Sequence, residues 1–299
     1  MTLEPIKLPS LPARDPAAHK GTFGTVGVVG GQGGEQVMLG SAALVALAAL
    51  RSGCGLAMIA APETIIQSII EVAFEATGVA LPVDADGALL ASSAAERIDT
   101  HLVGARVLAV GPGMGTGEAQ RQIVMRLVSR EEQTLVLDAD ALTVLAQCEG
   151  LQQDFRAPAI LTPHPGEYAR LAGALGLDPE PRSDQERMDA AATLALRLGV
   201  IVLLKGPRTI VTDGIRLHVN ETGNPALATG GSGDVLTGIC AGFVSQFTGA
   251  LDLLECAALA ADVHGRAADL VVEGRGTTRL IARDLLDAIP ASIAALSDL

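Results

Sequence analysis

The sequence predicts a three-layer α/β/α sandwich with a mostly parallel central sheet. Short apolar runs rich in Val, Ile and Leu alternate along the whole chain with longer helical patterns, as strands and their crossover helices do. Most of the apolar runs end in glycine-rich or acidic loops. The sequence contains no internal repeat, and no shift in composition marks a linker between domains. We therefore expect an extended, proline-punctuated arm over residues 1–18 and a single domain over residues 19–299.

The first predicted unit is a strand, a glycine loop, a helix and a second strand. A β-branched strand over 25–29 leads into glycines within 30–34, where α/β proteins place ligands. These glycines lack the G-x-G-x-x-G spacing, so a plain flexible loop explains them as well as a binding loop does. An alanine- and leucine-rich helix over 41–50 and a turn and strand over 53–60 complete the unit.

Three strands in the middle of the chain end in loops that carry chemistry. After helices near 62–74 and 92–102, a buried strand ends in a glycine loop, Gly111-Pro-Gly-Met-Gly115. The next strand ends in Asp138-Ala-Asp140, and the third in Thr162-Pro-His-Pro-Gly-Glu167. If the strands are parallel, these loops meet at one crevice. Glu167 alone is also explained as a first-turn acid that complements a helix dipole, whereas a histidine between two prolines favours a site.

The second half begins with a helix over 188–198 and a strand over 199–204. Lys205 follows that strand in Lys205-Gly-Pro-Arg-Thr209, where it fits either a phosphate contact or a solvated turn. Alternation on both sides of Asp213-Gly214 predicts a hairpin. Helices over 251–272 and 278–296 complete the chain, and neither His264 nor Arg275 in this part carries a recognisable signal.

The segment from Asn224 to Asp234 is the most informative of the chain. Asn224-Pro is a turn, and Thr229 to Gly233 form a small-residue loop before a helix predicted from Val235. Glycines let the backbone approach a ligand, and the unpaired N–H groups of a helix start favour an anion. A carboxylate next to a bound phosphate is a plausible general base. Capping of the helix by Asp234 is the alternative interpretation.

The composition argues against several classes of binding partner. The formal charge is −13 and no basic run occurs, which argues against nucleic acid and anionic membranes. The longest apolar run, 42–50, is too short for a bilayer, and the proline-rich start lacks the apolar core of a signal peptide. The four cysteines have no CxxC spacing and fit buried thiols in a reducing compartment. We therefore expect a soluble cytoplasmic protein.

Taken together, these motifs resemble the ADP/ATP-dependent NAD(P)H-hydrate dehydratase family of the ribokinase-like superfamily. The resemblance spans about residues 19–290 in order, and it covers the Lys20–Gly34 start, the 111–115 and 162–167 loops and the 205–234 segment. Asp138-Ala-Asp-Ala-Leu142 fits the same pattern. The glycine–aspartate motif alone is shared with sugar and vitamin kinases, whereas the 111–115 and 162–167 loops are more specific to the dehydratases.

The resemblance implies a carbon–oxygen lyase that repairs hydrated NADH or NADPH by using a phosphoryl group of ADP or ATP, with Mg²⁺ on the donor phosphates and no assignable metal ligand. Asp234 is then the catalytic base. Ser41, which stands where the family more often has alanine, would bind the hydrated dinucleotide with Gly113, His164 and Asp234. The implied nucleotide contacts are Lys205, Gly206, Pro207, Arg208, Thr209 and Gly233.

The resemblance also implies a homo-oligomer, typically a tetramer, and a functional partner, NAD(P)H-hydrate epimerase. We do not expect the epimerase in this chain because only about 20 residues precede the match. Two other functions fit the residues less well. A small-molecule kinase of the same fold, acting on a thiazole or pyrimidine alcohol, would use the same Asp234 but retain the phosphorylated product. A catalytically idle nucleotide sensor is disfavoured by the intact Asp234.

Overall fold

The computed structural model describes residues 3–273, 276–278 and 280–296, and shows a ten-stranded sheet between two layers of helices. The strands are β1 (Glu4–Pro5), β2 (Thr25–Val29), β3 (Leu56–Pro62), β4 (Thr77–Leu81), β5 (Val107–Val110), β6 (Thr134–Leu137), β7 (Ala159–Leu161), β8 (Ile201–Leu204), β9 (Ile210–Thr212) and β10 (Arg216–Val219). The helices are α1 (Gly40–Arg51), α2 (Ile66–Val72), α3 (Ala91–His101), α4 (Glu118–Val128), α5 (Asp140–Leu145), α6 (Leu151–Asp154), α7 (Pro165–Ala174), α8 (Asp184–Leu198), α9 (Ser232–Phe247), α10 (Leu253–Val272) and α11 (Ala282–Ala294).

The strand order is β1-β10-β9-β8-β7-β6-β5-β2-β3-β4. Neighbouring strands are parallel except that β9 is antiparallel to both β8 and β10. The β9–β10 hairpin turns at Asp213 and Gly214, as predicted, and Gly214 has a φ of +94° that favours glycine. The predicted mostly parallel α/β fold is therefore confirmed.

Side chains on alternate positions of the central strands feed two separate cores. Val107 and Ala109 pack into the core under α1, α2, α9, α10 and α11. Leu108 and Val110 pack into the opposite core, under α3, α4, α5, α7 and α8. A strand covered on both faces has no polar face, which explains why these strands are continuous apolar runs in the sequence. The three predicted layers follow from this arrangement.

Three elements differ from the prediction. Strand β4 was missed because it is a sheet edge: three of its five residues are exposed, so it has no continuous apolar run. The short helix α6 was also missed. Helix α9 starts at Ser232 rather than Val235, because Gly231 (φ +86°) ends the loop and the Ser-Gly-Asp segment forms the first helical turn. Asp234 therefore belongs to the helix.

The N-terminal arm contributes to the sheet edge. Its residues Glu4 and Pro5 lie parallel to β10, and the guanidinium carbon of Arg14 lies 3.6 Å from the centre of the Phe23 ring. The division at residue 18 stays a prediction. Of the residues considered above, Arg275 and the last residues of the 19–299 range lie outside the described part of the chain. In the part that the structure describes, no helix is long and apolar enough to span a bilayer.

Helices α1 and α9 pack with almost no side chain between them. A Cβ atom added to Gly238 of α9 would lie 2.3 Å from the carbonyl oxygen of Val45, and one added to Gly242 would lie 2.9 Å from that of Ala49. Because both sites have φ values outside the left-handed region, close packing alone demands glycine there. This contact sets the spacing between the first turns of α1 and α9.

We expect Gly238→Ala to destabilise the protein by roughly 1–3 kcal/mol, since the added methyl group forces the two helices apart. Gly173→Ala in α7 is the matched control, because a Cβ there meets nothing within 4 Å. Alanine should stabilise that helix by up to about 1 kcal/mol. Urea unfolding of both variants measures the difference, and equal stability of the two would contradict the close packing.

Candidate active site

Asp234 lies in the first turn of α9, at the carboxyl ends of the central strands. Ser41, in the first turn of α1, lies near its carboxylate and lowers its pKa. Burial raises the pKa of Asp234 to about 6, and the negative charge of Asp138 adds to the rise. A carboxyl group with such a pKa is ionised near neutral pH and is a better proton acceptor than an ordinary aspartate.

The 111–115 loop closes one side of Ser41. Gly113 has a φ of +61°, and a Cβ added to it would lie 3.3 Å from Ser41 Oγ. The amide of Gly115 donates to Asp140 Oδ2 at 2.9 Å, which ties the loop to the acidic end of the neighbouring strand. The sequence-predicted substrate residues Ser41, Gly113 and Asp234 therefore lie together.

Lys205 lies inside the site rather than on its rim. Its Nζ is 2.7 Å from Asp138 Oδ1, and Thr237 Oγ1 donates to Asp138 Oδ2 at 2.8 Å. Burial works to raise the pKa of Asp138, but the Lys205 ammonium and these hydrogen bonds outweigh it and hold that pKa below its usual range. Lys205 keeps its proton for the same reason, since Asp138 and Glu167 raise its pKa against the effect of burial. A Cβ added to Gly233 would lie 3.2 Å from Nζ, so the ammonium reaches the helix start.

Glu167 contacts both His164 and Lys205. It forms a capping box with His164: the His164 amide donates to Glu167 Oε2 at 2.7 Å, and His164 Nδ1 accepts from the Gly166 amide at 2.9 Å. Its Oε2 is also 3.8 Å from Lys205 Nζ. Burial raises the pKa of this carboxyl group. The side chain of His164 is half exposed and lies beside Glu167 at the crevice.

The loop after Lys205 is held from the outside by α8. Arg187 donates to the carbonyl oxygen of Pro207 at 2.8 Å, and the exposed Arg208 pairs with Asp184 at 3.4 Å. Thr209 Oγ1 donates to the carbonyl oxygen of Gly206 at 3.1 Å. Residues 206–209 therefore form a separate wall beside the site. Their contacts with a nucleotide stay a prediction.

Thr237 and His264 also contact this cluster, and sequence analysis missed both. Thr237 lies three residues after Asp234, and that helical spacing puts both on one face of α9. It was a usable signal. His264 is buried in α10 with Nε2 3.0 Å from the carbonyl oxygen of Ser232, and nothing in its alanine-rich surroundings indicates this contact.

The cluster can bind an anion and accept a proton. A helix start, whose first N–H groups have no partner within the helix, faces the Lys205 ammonium, and the Asp234 carboxyl group lies next to both. Among the described residues, no three His, Cys, Asp or Glu side chains are grouped closely enough to hold a metal ion by themselves. The arrangement suits transfer of a phosphoryl group to a hydroxyl group held between Ser41 and Asp234.

Comparison with known proteins gives the family. The family model described as NAD(P)H-hydrate dehydratase matches residues 26–291. The bifunctional NAD(P)H-hydrate repair enzyme Nnr of Moorella thermoacetica is 38% identical over 282 residues, which cover 94% of this chain and 51% of that protein. The ADP-dependent (S)-NAD(P)H-hydrate dehydratase of Bacillus subtilis is 34% identical over 285 residues, with 94% and 93% covered.

A solved structure agrees with these relatives. The ADP/ATP-dependent NAD(P)H-hydrate dehydratase of Bacillus subtilis, co-crystallised with ATP and Mg²⁺, superposes with a TM-score of 0.79 at 30% identity over 96% of this chain and 95% of that one. The chain spans about half the length of the bifunctional relatives and nearly all of the Bacillus protein. The resemblance drawn from the sequence motifs is confirmed, and the chain belongs to the NAD(P)H-hydrate dehydratase family.

Proposed function

We propose that this protein dehydrates hydrated NADH and NADPH at the expense of a nucleotide phosphoryl group. One observation carries the proposal: a carboxylate with a raised pKa, Asp234, lies at an anion-binding helix start beside the buried ammonium of Lys205. The family membership supplies the substrate class, since the relatives are named for NAD(P)H-hydrate. Phosphoryl transfer needs a base, a cation and N–H donors, and all three meet here.

The proposed reaction has a transfer step and an elimination step. Asp234 accepts the proton of the hydroxyl group at C6 of the hydrated ring, and that oxygen attacks the terminal phosphorus of ADP or ATP. The bond from this phosphorus to the bridging oxygen breaks, and AMP or ADP leaves. The C6–O bond then breaks as the ring nitrogen donates its electron pair, and inorganic phosphate leaves. Loss of a proton from C5 restores the dihydronicotinamide. Ser41 favours the ionised form of Asp234 that the first step needs, since it lowers the pKa of this carboxyl group.

The protein's main contribution to the transfer step is electrostatic. The phosphoryl group carries its charge on three oxygens, which need fixed positive charge and N–H donors rather than covalent chemistry. The amides of Gly233 and Asp234 and the ammonium of Lys205 supply them. Asp138 holds that ammonium at 2.7 Å and keeps it protonated. Residues 206–209 would bind the rest of the nucleotide.

The carboxylates of the site fit a Mg²⁺ ion on the donor phosphates. Asp138, Glu167 and Asp234 all act on the single ammonium of Lys205, so negative charge exceeds positive charge among them. Mg²⁺ binds through one or two carboxylates together with phosphates and water, which explains why no full protein cage is needed. Bound there, Mg²⁺ would neutralise charge on the phosphates.

The proposal is tested by absorbance at 340 nanometres, which reports the dihydronicotinamide. Purified protein is mixed with hydrated NADH, Mg²⁺ and either ADP or ATP. A rise that needs nucleotide, with one phosphate released per NADH formed, is the expected result and identifies the donor. A stable phosphate ester without free phosphate would instead establish a kinase of this fold, and a protein that binds nucleotide without any turnover would be the sensor.

We expect the rate to depend on an ionised Asp234. Since the pKa of this group is about 6 and the base acts as carboxylate, kcat/KM should rise with pH through about 6 and level off above about pH 7. Ser41→Ala is the control. Ser41 lowers the pKa of Asp234, so its removal should move the rising limb to higher pH. The mutation does not change how the nucleotide ionises, so a limb caused by the nucleotide would stay at the same pH. A rising limb at the same pH in both proteins would therefore contradict the assignment to Asp234.

A further inference from the structure

His264 lies directly behind the first turn of α9. Its ring is buried in α10, and Nε2 is 3.0 Å from the carbonyl oxygen of Ser232 and 3.1 Å from Ser232 Oγ. It is on the side of the helix start away from the solvent, and the reaction described above makes no use of it. A buried imidazole aimed at a backbone carbonyl group of the anion-binding turn is a strong constraint on that turn.

Two contacts bear on which ring nitrogen carries the proton. The Ser232 hydroxyl group, 3.1 Å from Nε2, can donate or accept, whereas the carbonyl oxygen, 3.0 Å from it, only accepts hydrogen bonds. We therefore assign the proton to Nε2, which then donates to the carbonyl group of Ser232. Burial lowers the pKa of His264 to about 4, and the nearby positive charge of Lys205 acts in the same direction. The ring is therefore neutral at physiological pH and its one proton is on Nε2.

Helix α10 holds the preceding loop in the same way. Thr222 Oγ1 donates to the carbonyl oxygen of Asp262 at 3.0 Å, and a Cβ added to Gly265 would lie 2.1 Å from that hydroxyl oxygen. The carboxylate of Asp269 accepts from the amide of Gly223 at 2.9 Å and from the side chain of Asn224 at 2.8 Å. Helix α10 thus holds both the chain at Thr222 to Asn224 and, through His264, the start of α9.

A bond to the carbonyl oxygen of Ser232 also orients the next amide. The C=O of Ser232 and the N–H of Gly233 belong to one rigid, trans peptide plane and point in opposite directions. A donor fixed behind the carbonyl group therefore fixes the N–H that faces forward, towards Lys205 and Asp234. How strongly an N–H donor stabilises the transferring phosphoryl group depends on the direction in which the N–H points.

We propose that His264 is a positioning residue, which holds the Ser232 peptide so that the N–H of Gly233 points at the transferring phosphoryl group. The inference rests on the proposed function, because it assigns the phosphoryl group to this helix start. It adds a role for a residue that contacts neither substrate nor nucleotide. Its effect belongs to the transfer step rather than to binding of the dinucleotide.

The test compares His264→Leu with His264→Gln. Leucine fills the space without a donor, whereas the glutamine amide can place an N–H near the position of Nε2. We expect His264→Leu to lower kcat about 10-fold to 100-fold, as loss of one oriented donor does, with KM for hydrated NADH changed less than about 3-fold. His264→Gln should recover most of the rate. Thermal unfolding identifies any variant that is not folded.

Equal losses in two folded variants would overturn the proposal, because they would show that the ring's shape rather than its proton matters. Nitrogen-15 NMR of the wild-type imidazole decides the matter without any variant: a proton on Nδ1 overturns the proposal, and one on Nε2 supports it. If the wild-type protein dehydrates nothing with either nucleotide, the proposed function fails instead. In that case calorimetry of ADP binding compares His264→Leu with His264→Gln without relying on turnover.

Discussion

Asp234→Asn is expected to lower kcat by about 100-fold or more while the protein binds ADP within a few-fold of the wild-type affinity. The amide keeps the shape of the side chain and its contact with Ser41 but cannot accept the hydroxyl proton, and loss of a general base has effects of this size. Initial rates at 340 nanometres and calorimetry with ADP measure the two quantities. Near-normal turnover in a folded variant would remove Asp234 from its role.

The same substitution should make the protein more stable. The folded-state pKa of Asp234, about 6, lies above its ordinary value of 3.8, so stability is lost as pH rises through about 6 and the group ionises. Asparagine removes that cost, which is on the order of 2–3 kcal/mol at pH 8. The gain should vanish near pH 4, where both side chains are neutral. Urea unfolding at pH 4 and pH 8 checks the sign, and an equal effect at both values would contradict it.

Lys205→Met is expected to abolish turnover and to cost about 3–5 kcal/mol of stability. It removes the cation of the site and leaves Asp138, which is fully buried, without its counter-charge at 2.7 Å. Rates and urea unfolding give the two effects. Turnover close to that of the wild type would contradict the placement of the ammonium at the phosphoryl group.

The double variant Asp138→Asn/Lys205→Met separates stability from chemistry. With both charges removed, Asp138 no longer leaves a buried charge without its partner at 2.7 Å, and an asparagine can still accept the hydrogen bond that Thr237 donates at 2.8 Å. We expect it to recover much of the stability lost in Lys205→Met and none of the activity. If the double variant is as unstable as Lys205→Met, the unpaired charge of Asp138 is not what destabilises the single variant.

Much of the fold and part of the site were predictable from local pattern. The buried strands are apolar runs because both faces of the sheet are covered, and the Asp213-Gly214 hairpin needs only local turn chemistry. Asp138 and Glu167 were placed at one crevice because parallel strands end at one edge. These inferences use only sequence neighbours and the topology that they imply.

Contacts that depend on tertiary packing were not predictable. The edge strand β4 lacks an apolar run because solvent covers part of it. His264 gains its role from Ser232, which is 32 residues away, and a lone histidine in an apolar helix gives no sign of its partner. The sequence pattern fitted Lys205 to either a phosphate contact or a solvated turn, and only the folded chain shows that its ammonium lies between Asp138 and Glu167.

The close packing of α1 against α9 limits where this protein can change. Ser41 and Asp234 lie at the starts of these two helices, and backbone contacts at Gly238 and Gly242 hold the helices together. The separation of Ser41 from Asp234 thus depends on the packed helix pair as well as on the rotamers of the two side chains. Altered donor or substrate preference should therefore arise in loops such as 206–209, which can vary while the reacting groups stay in place.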